Sequence, residues 1–418
     1  MVTDILDDLH WRGLLKDSTG LDDLRKALVS GQVTFYVGFD PTAASIHIGN
    51  LVQVLTARRL QLAGHKPLLL VGGATGQIGD PKDSGERTLN DPSVVAGWVE
   101  RIRRQVEPFF DFDGPNAATM VNNLDWTGPM SAIEFLRDVG KHFPVNRMLA
   151  KDIVKNRLES GISFTEFSYQ LIQGNDFYEL NQRHGCVLQF GGSDQWGNIT
   201  SGVDYIRRRG AGPVHAFCTP LVTKADGTKF GKTEGGTIWL DGEMTTPYAF
   251  YQFWFNVDDR DVIPYLKYFS LRSREEIEEL ERETAERPFA RAAQKALAEE
   301  LTTLLHGKDE TQQVITAAQA LFGRGDLAEL GVSTLRAALA EAGLLQVSEL
   351  PSLALLLKDS GLASSLGDAR RAAAEGGVYV NNERVSNVDD PASPGALLHG
   401  KLLVLRRGKK TIAGVELV

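Results

Sequence analysis

Residues 33–73, VTFYVGFDPTAASIHIGNLVQVLTARRLQLAGHKPLLLVGG, decide the fold of this chain. VTFYVGFDPTA (33–43) reads as a buried strand running into a polar loop, because β-branched and aromatic residues dominate a run too short for a helix. HIGNLVQVLTARRLQLAG (47–64) reads as an amphipathic helix closed by glycine. KPLLLVGG (66–73) is a second apolar strand that breaks into glycines. Strand, helix and strand of these lengths form a βαβ unit with parallel strands, whose ligands lie beyond the carboxyl ends.

Working outward, residues 1–30 read as helix, while AATMVNNLDW (117–126) and GCVLQFGGSDQ (185–195) read as further strands. Helical stretches at 131–160 and 164–183 lie between them, so the α/β part covers roughly 30–225. From about 247 the character turns helical, most clearly over 273–307, with Pro288 and Gly307 as punctuation. Near the end, SLGDARRAAAEGGVYVNNERVSN (365–387) has a short basic helix, a Gly-Gly stop, and two strands around an Asn-Asn turn. The expected fold is α/β, with a Rossmann-like parallel-sheet domain over 1–240 that carries a helical insertion at about 115–185. A helical domain over 241–325, a linker over 326–350 and a small α+β module over 351–418 complete it.

Composition excludes several classes. The chain has 418 residues, 42% hydrophobic and 24% charged, and no run approaching the apolar length of a membrane helix. The start, MVTDILDDLHWRGLLKD, carries acids and lacks the layout of a signal peptide, which reads as cytoplasmic. Cys186 and Cys218 have no ligand spacing, which argues against a disulfide frame or a zinc site. Net charge is −9, yet residues 351–418 hold nine Lys/Arg against seven Asp/Glu. An acidic body with a slightly basic tail is compatible with nucleic-acid binding, because affinity follows local phosphate contacts.

Two segments carry candidate chemistry. DPTAASIHIGN (40–50) puts His47 and Gly49 in the first turn of a helix, where unpaired N–H groups attract phosphate. ADGTKFGKTEGG (225–236) sets two lysines three apart in a glycine-rich loop, which suits a polyphosphate. A Walker A loop is excluded, since only three residues separate Gly227 from Gly231. GGATGQIG (72–79) fits no register of the dinucleotide fingerprint, because Ala74 and Thr75 stand where glycines are needed. Taken singly, His47 reads equally as a surface histidine beside a helix cap, and 225–236 as a polar hairpin.

Together, HIGN and KFGKT resemble the paired HIGH and KMSKS signatures of class I aminoacyl-tRNA synthetases. YVGFDPTAASIHIGN, GGATGQIGDP, GISFTEFSYQLIQGNDF and LQFGGSDQWGNIT resemble the bacterial tyrosyl-tRNA synthetases, in order and over nearly the whole chain. LGDARRAAAEGGVYVNNERV resembles an S4 RNA-binding module.

The resemblance implies a tyrosine pocket whose far end holds Tyr36 and Asp176. It implies that Asp80, Tyr169 and Gln173 meet the substrate ammonium and Gln195 its carboxylate. Tyr169, Gln173 and Asp176 are spaced to share one helix face, as a polar solvent face would also be. For ATP it implies Gly38, Asp40, Asn50, Gly192 and Asp194, with Asp194 on the ribose and Gly191 and Gly192 permitting close approach. Thr42, His47, Lys229 and Lys232 fall at catalytic positions around the phosphates, and Lys82 and Arg87 at basic positions after IGDP. Arg370, Arg371, Arg406, Arg407, Lys409 and Lys410 are the implied RNA contacts. Mg²⁺ with the phosphates and a homodimer bridged by tRNA are likewise implied. The chain departs from the family pattern at Asn50 (for the last histidine) and Val37 (often cysteine), and at Phe230 and Thr233. The loop after IGDP is one residue short. Rival readings are a tryptophanyl-type synthetase, a nucleotidyltransferase acting on a small molecule, and a non-catalytic RNA-binding or splicing cofactor.

Overall fold

A computed structural model describes residues 4–418 except 82–84, 86–87, 229, 234–235, 324 and 409–410, and without the side chains of 152–153 and 232–233. It divides into two compact units, Met1–Asp241 with Asp258–Ala293, and Gly242–Val257 with Gln294–Val418.

The first unit is built on a six-stranded sheet: β1 (Asp17–Ser18), β2 (Thr34–Phe39), β3 (Lys66–Val71), β4 (Thr119–Asn122), β5 (Leu188–Gly192) and β6 (His215–Thr219), in the order β1-β6-β5-β2-β3-β4. All pairs are parallel except β1 with β6. The chain builds outward from β2 through β3 to β4, then returns to the other side of β2 with β5 and β6. The crevice beyond the ends of β2 and β5 is therefore the topological switch point. The βαβ expectation holds, with one change. The intervening helix starts as a 3-10 turn at Ile48–Asn50 and runs as α-helix over Leu51–Leu62. It is not amphipathic: Thr56, Arg59 and Gln61 are buried along with its apolar residues.

The long helix Phe164–His184 matches expectation, capped by Ser163 and ended by left-handed Gly185. It crosses Trp196–Arg208 closely, and glycines make room: a Cβ on Gly174 would stand 3.7 Å from Gly202 Cα of that helix. The expected helices at 1–30 and 131–160 are broken into short pieces.

Residues 258–293 belong to the first unit, not to the helical domain the sequence suggested. The reason is a pair of buried arginines. Arg12 donates to the carbonyls of Ser270 (3.1 Å) and Arg272 (2.7 Å), and Arg59 to those of Tyr268 (2.9 Å) and Ser270 (2.6 Å). These carbonyls lie at and just past the C-terminal end of the helix Asp259–Phe269, where backbone acceptors run beyond the helical ladder. Hydrogen bonds to a charged donor are worth about 1.5–3 kcal/mol each, which ties this stretch to the helices that carry Arg12 and Arg59.

In the second unit, helices Pro247–Phe255, Lys308–Leu321 and Val332–Ala342 pack together. A five-stranded sheet follows, ordered Glu383–Arg384, Val378–Val380, Leu402–Arg407, Thr411–Leu417, Leu344–Val347. Residues 326–350, expected as linker, thus supply a helix and an edge strand that pairs in parallel with the last strand. Asn381 and Asn382 both have positive φ (48° and 69°), as a two-residue hairpin turn requires. Among the described residues no helix is long and apolar enough to cross a membrane.

Candidate active site

Tyr36 lies in the middle of β2, opposite Leu68 of β3 and Gln189 of β5, and is 2% exposed. Its hydroxyl oxygen is buried with no hydrogen-bond partner among the described residues. Burial first, then the neighbouring Asp176, push its ionisation well above the usual phenol range. Asp176, on the helix Phe164–His184, accepts from Trp126 Nε1 at 2.8 Å and from Asn123 Nδ2 at 3.0 Å. Burial lifts its pKa to about 7 against the pull of those two donors. A buried hydroxyl lacking a partner beside a carboxylate with lone pairs to spare is a site made for a hydrogen-bonding group.

A chain of hydrogen bonds leads from Asp176 toward the end of β2. Asn123 Nδ2 also reaches Thr75 Oγ1 (3.0 Å), and Thr75 donates to Asp40 Oδ1 (2.7 Å). The second Asp40 oxygen accepts the hydroxyl of Tyr169. Gly72 makes this possible, since a Cβ there would lie 2.1 Å from Thr75 Oγ1 and 2.2 Å from Asp40 Oδ1. GGATGQIG, excluded as a dinucleotide loop, is the turn that seats Asp40.

Asp80 follows that turn and receives Gln195 Nε2 at 2.7 Å and Asn198 Nδ2 at 3.0 Å. Burial raises its pKa to about 6, with Gln195 and Asn198 opposing and Asp40 and Asp194 adding. Half-buried Lys151, lowered to about 8 by desolvation, donates to Gly197 O and Ser201 Oγ nearby. Gln173 lies on the same helix face as Tyr169 and Asp176, and its Oε1 is buried without a partner among the described residues.

The mouth of the crevice is more open. Gly38, Thr42, His47 and Asp194 are exposed, and a Cβ on Gly192 would stand 2.4 Å from Asp194 Oδ1. His47 Nδ1 accepts from Gly49 N, while Asn50 Oδ1 accepts from His47 N at 3.2 Å. Asn50, the departure from the signature, thereby completes a capping box and still has its Nδ2 to donate. The second signature is stitched to the first: Ile48 N donates to Ile238 O and Ile238 N to Gly231 O. Phe230 anchors this loop, edge-on to Tyr265 at 5.0 Å and stacked on Phe269 at 5.2 Å. Lys232 pairs its backbone with Thr237. Its side chain, and Lys82, Arg87, Lys229, Lys409 and Lys410, lie outside the described residues.

In the C-terminal sheet the basic residues divide. Arg407 forms a two-pronged pair with Asp368 (2.7 and 2.9 Å), which holds that carboxyl well below its usual range. Arg406 stacks over Tyr379 at 3.9 Å, and Arg370 pairs with Asp389 at 2.7 Å. Arg371 is 77% exposed, with only a 3.8 Å contact to Asp368.

Sequence reasoning missed Thr75, Asn123, Trp126, Lys151 and Asn198. Asn123 and Trp126 lie in what reads as a strand but turns after Asn122 into the helix Leu124–Thr127.

A switch-point crevice flanked by a His-Ile-Gly turn and a lysine loop is the arrangement of a class I aminoacyl-tRNA synthetase. The family model described as tRNA synthetases class I (W and Y) matches residues 29–323, and that of the tyrosine–tRNA ligase SYY-like C-terminal domain matches 341–414. The tyrosine–tRNA ligase of Streptomyces griseus is 66% identical over 99% of both chains. That of Streptomyces coelicolor is 64% identical over 100% of this chain and 99% of the relative. A C-terminally truncated mitochondrial tyrosyl-tRNA synthetase of Aspergillus nidulans, 32% identical, superposes with a TM-score of 0.69 over 77% of this chain and 94% of its own. The chain belongs to the bacterial tyrosyl-tRNA synthetases, which use ATP to join tyrosine to tRNA. The tryptophanyl-type and non-catalytic readings find no support in these matches.

Proposed function

We propose that this site forms tyrosyl-adenylate with the tyrosine phenol held between Tyr36 and Asp176. The observation that carries the reading is the buried Tyr36 hydroxyl, which lacks a partner among the described residues beside a doubly hydrogen-bonded carboxylate. Tyrosine supplies the missing group, whereas phenylalanine leaves a buried hydroxyl and a carboxylate unpaired, at a cost. Asp80, Tyr169 and Gln173 receive the ammonium, and Gln195 orients the carboxylate. Asp194 takes the ribose, with Gly38, Gly191 and Gly192 giving the backbone room. Asp40, Thr42, His47 and Asn50 meet the nucleotide, and Lys229 and Lys232 meet the departing pyrophosphate.

The tyrosine carboxylate attacks the α-phosphorus in line and pyrophosphate leaves. The nucleophile is already ionised at neutral pH, so no general base is needed. Rate enhancement then comes from positioning and from donors aimed at the charge that develops on the phosphates. Mg²⁺ enters as part of the substrate, on the ATP phosphates. Among the described residues no group of three His, Cys, Asp or Glu could hold a metal of its own. The ribose hydroxyl at the tRNA 3′ end then displaces AMP from the adenylate.

Ile133, Leu136, Val145, Leu149, Leu158 and Phe164 are large apolar side chains left exposed, Phe164 by 70%. Such an exposed apolar set is what a homodimer interface would cover, and the reading places the enzyme in the cytoplasm. The test is pyrophosphate exchange with each of the twenty amino acids. Exchange is expected with tyrosine alone; exchange with phenylalanine at a comparable rate overturns the pocket assignment.

A further inference from the structure

Asn198 was assigned no role by its sequence motif, yet it closes a ring of hydrogen bonds in the candidate site. Its Nδ2 reaches Asp80 Oδ1 at 3.0 Å and Gln195 Oε1 at 3.2 Å, while Gln195 Nε2 reaches Asp80 Oδ2 at 2.7 Å. The ring has two consequences. Each oxygen of Asp80 has its own neutral donor, which favours the ionised carboxylate. The Gln195 amide is also locked, because its carbonyl must face Asn198 and its NH₂ must face Asp80. The second N–H of that NH₂ is then free to point at an anion, and the repelling carbonyl oxygen is turned away. Asn198 can do this because it sits in the first turn of the Trp196–Arg208 helix, three residues after Gln195. Lys151, bound to Gly197 O and Ser201 Oγ, fixes that turn.

We propose that Asn198 is a positioning residue that makes the site selective for a zwitterion, by holding Asp80 ready for the substrate ammonium and Gln195 ready for its carboxylate. This rests on the assignment of Asp80 and Gln195 given above. The charged and titratable groups facing Asp80 are Asp40 and Asp194, which oppose its ionisation, and Lys151, which favours it; Tyr169 lies close to it. Asn198 and Gln195 are neutral donors that tip this balance toward the carboxylate.

The experiment compares binding of tyrosine and of 4-ethylphenol, which has neither ammonium nor carboxylate, by equilibrium dialysis and competition. The wild-type enzyme, Asn198→Ala, Asn198→Asp and Asp80→Asn are measured from pH 5.5 to 8.5. Loss of a hydrogen bond to a charged group predicts tyrosine affinity in Asn198→Ala lower by about tenfold or more at pH 7.5, with 4-ethylphenol unchanged. The pH below which tyrosine binding fails is expected to rise by about one unit. Asn198→Asp keeps the shape but puts a second carboxylate against Asp80, so it should lose at least as much. Equal weakening of both ligands, or an unmoved pH profile in both variants, overturns the proposal. If Asp80→Asn weakens tyrosine selectively but the Asn198 variants do not, the proposal alone falls. If Asp80→Asn leaves tyrosine binding intact, the ammonium assignment falls and takes the proposal with it.

Discussion

Trp126 donates its indole N–H to Asp176 across 2.8 Å, within the same buried cluster that holds Tyr36. With Asn123 on the other oxygen, Asp176 can be buried without losing all partners. Its burial still disfavours the charge, and the pKa near 7 against an ordinary value of 3.8 records the balance.

That balance has a pH signature in the ligand-free enzyme. Between about pH 4 and 7 the unfolded chain ionises at Asp176 while the folded chain does not, so this residue makes stability fall as pH rises through that window. The penalty is absent below pH 4 and complete above pH 7, where it reaches up to about 4 kcal/mol. Asp176→Asn removes it. Thermal melts of the variant and the wild type should therefore diverge in the variant's favour as pH rises from 5 to 8. A constant difference in Tm across that range contradicts the burial of the charge.

In the proposed pocket, Tyr36→Phe would remove one of two partners for the substrate hydroxyl and leave the pocket's shape intact. A hydrogen bond between neutral groups is worth about 0.5–1.5 kcal/mol net, so preference for tyrosine over phenylalanine should drop by roughly threefold to tenfold. The ratio of kcat/KM values in pyrophosphate exchange reads this directly. An unchanged ratio would refute the role given to Tyr36.

Phe230 is expected to separate the two half-reactions. Its rings with Tyr265 and Phe269 contribute about 1–3 kcal/mol to holding the lysine loop, and pyrophosphate leaves before tRNA is charged. Phe230→Ala should slow adenylate formation by about tenfold or more and spare single-turnover transfer from preformed adenylate. Phe230→Leu should restore part of the loss. Equal slowing of both steps would mean that the ring supports the fold and not the loop.

In the C-terminal module, Arg407 of the sheet and Arg371 of the helix Leu366–Ala374 should behave oppositely. Arg407 is spent on Asp368, so Arg407→Ala is expected to lower Tm. Arg371 is free to meet a phosphate; its removal should leave Tm alone and reduce the salt slope of tRNA binding by about one. Filter binding across a salt series distinguishes the two.

Strands β2, β3 and β5 were legible because they are short apolar runs that end in glycine or aspartate, whereas β6 went unread and β4 stops at Asn122, short of the expected 126. Tyr36, Asp80 and Asp176 were singled out only through long motifs, since a core tyrosine and a helix-surface acid look ordinary in isolation. Asn123 and Trp126 were missed because their role depends on a turn whose partner, Asp176, is about fifty residues away. The strand Leu344–Val347 was missed because its pairing partner is the last strand of the chain, and no local pattern announces a parallel neighbour. That error matters in practice. A truncation at 350 strands this segment without its ladder, whereas one after 342 removes it cleanly. The cleaner cut still bares Leu339, which a Cβ on Gly414 would approach to 2.6 Å.

The two arginines at the end of the Asp259–Phe269 helix bear on how the protein comes off the ribosome. Arg12 and Arg59 are made early, but the carbonyls they serve belong to residues 268–272. Until that stretch leaves the exit tunnel, the carbonyls that take up Arg59 and the Arg12 Nη atoms are missing, and Arg12 keeps only the local Asp8 pair. The catalytic half therefore cannot finish folding when its last sheet strand emerges; it waits for roughly fifty further residues, some belonging to the other unit. Nascent chains shorter than this are the ones that need a chaperone's cover.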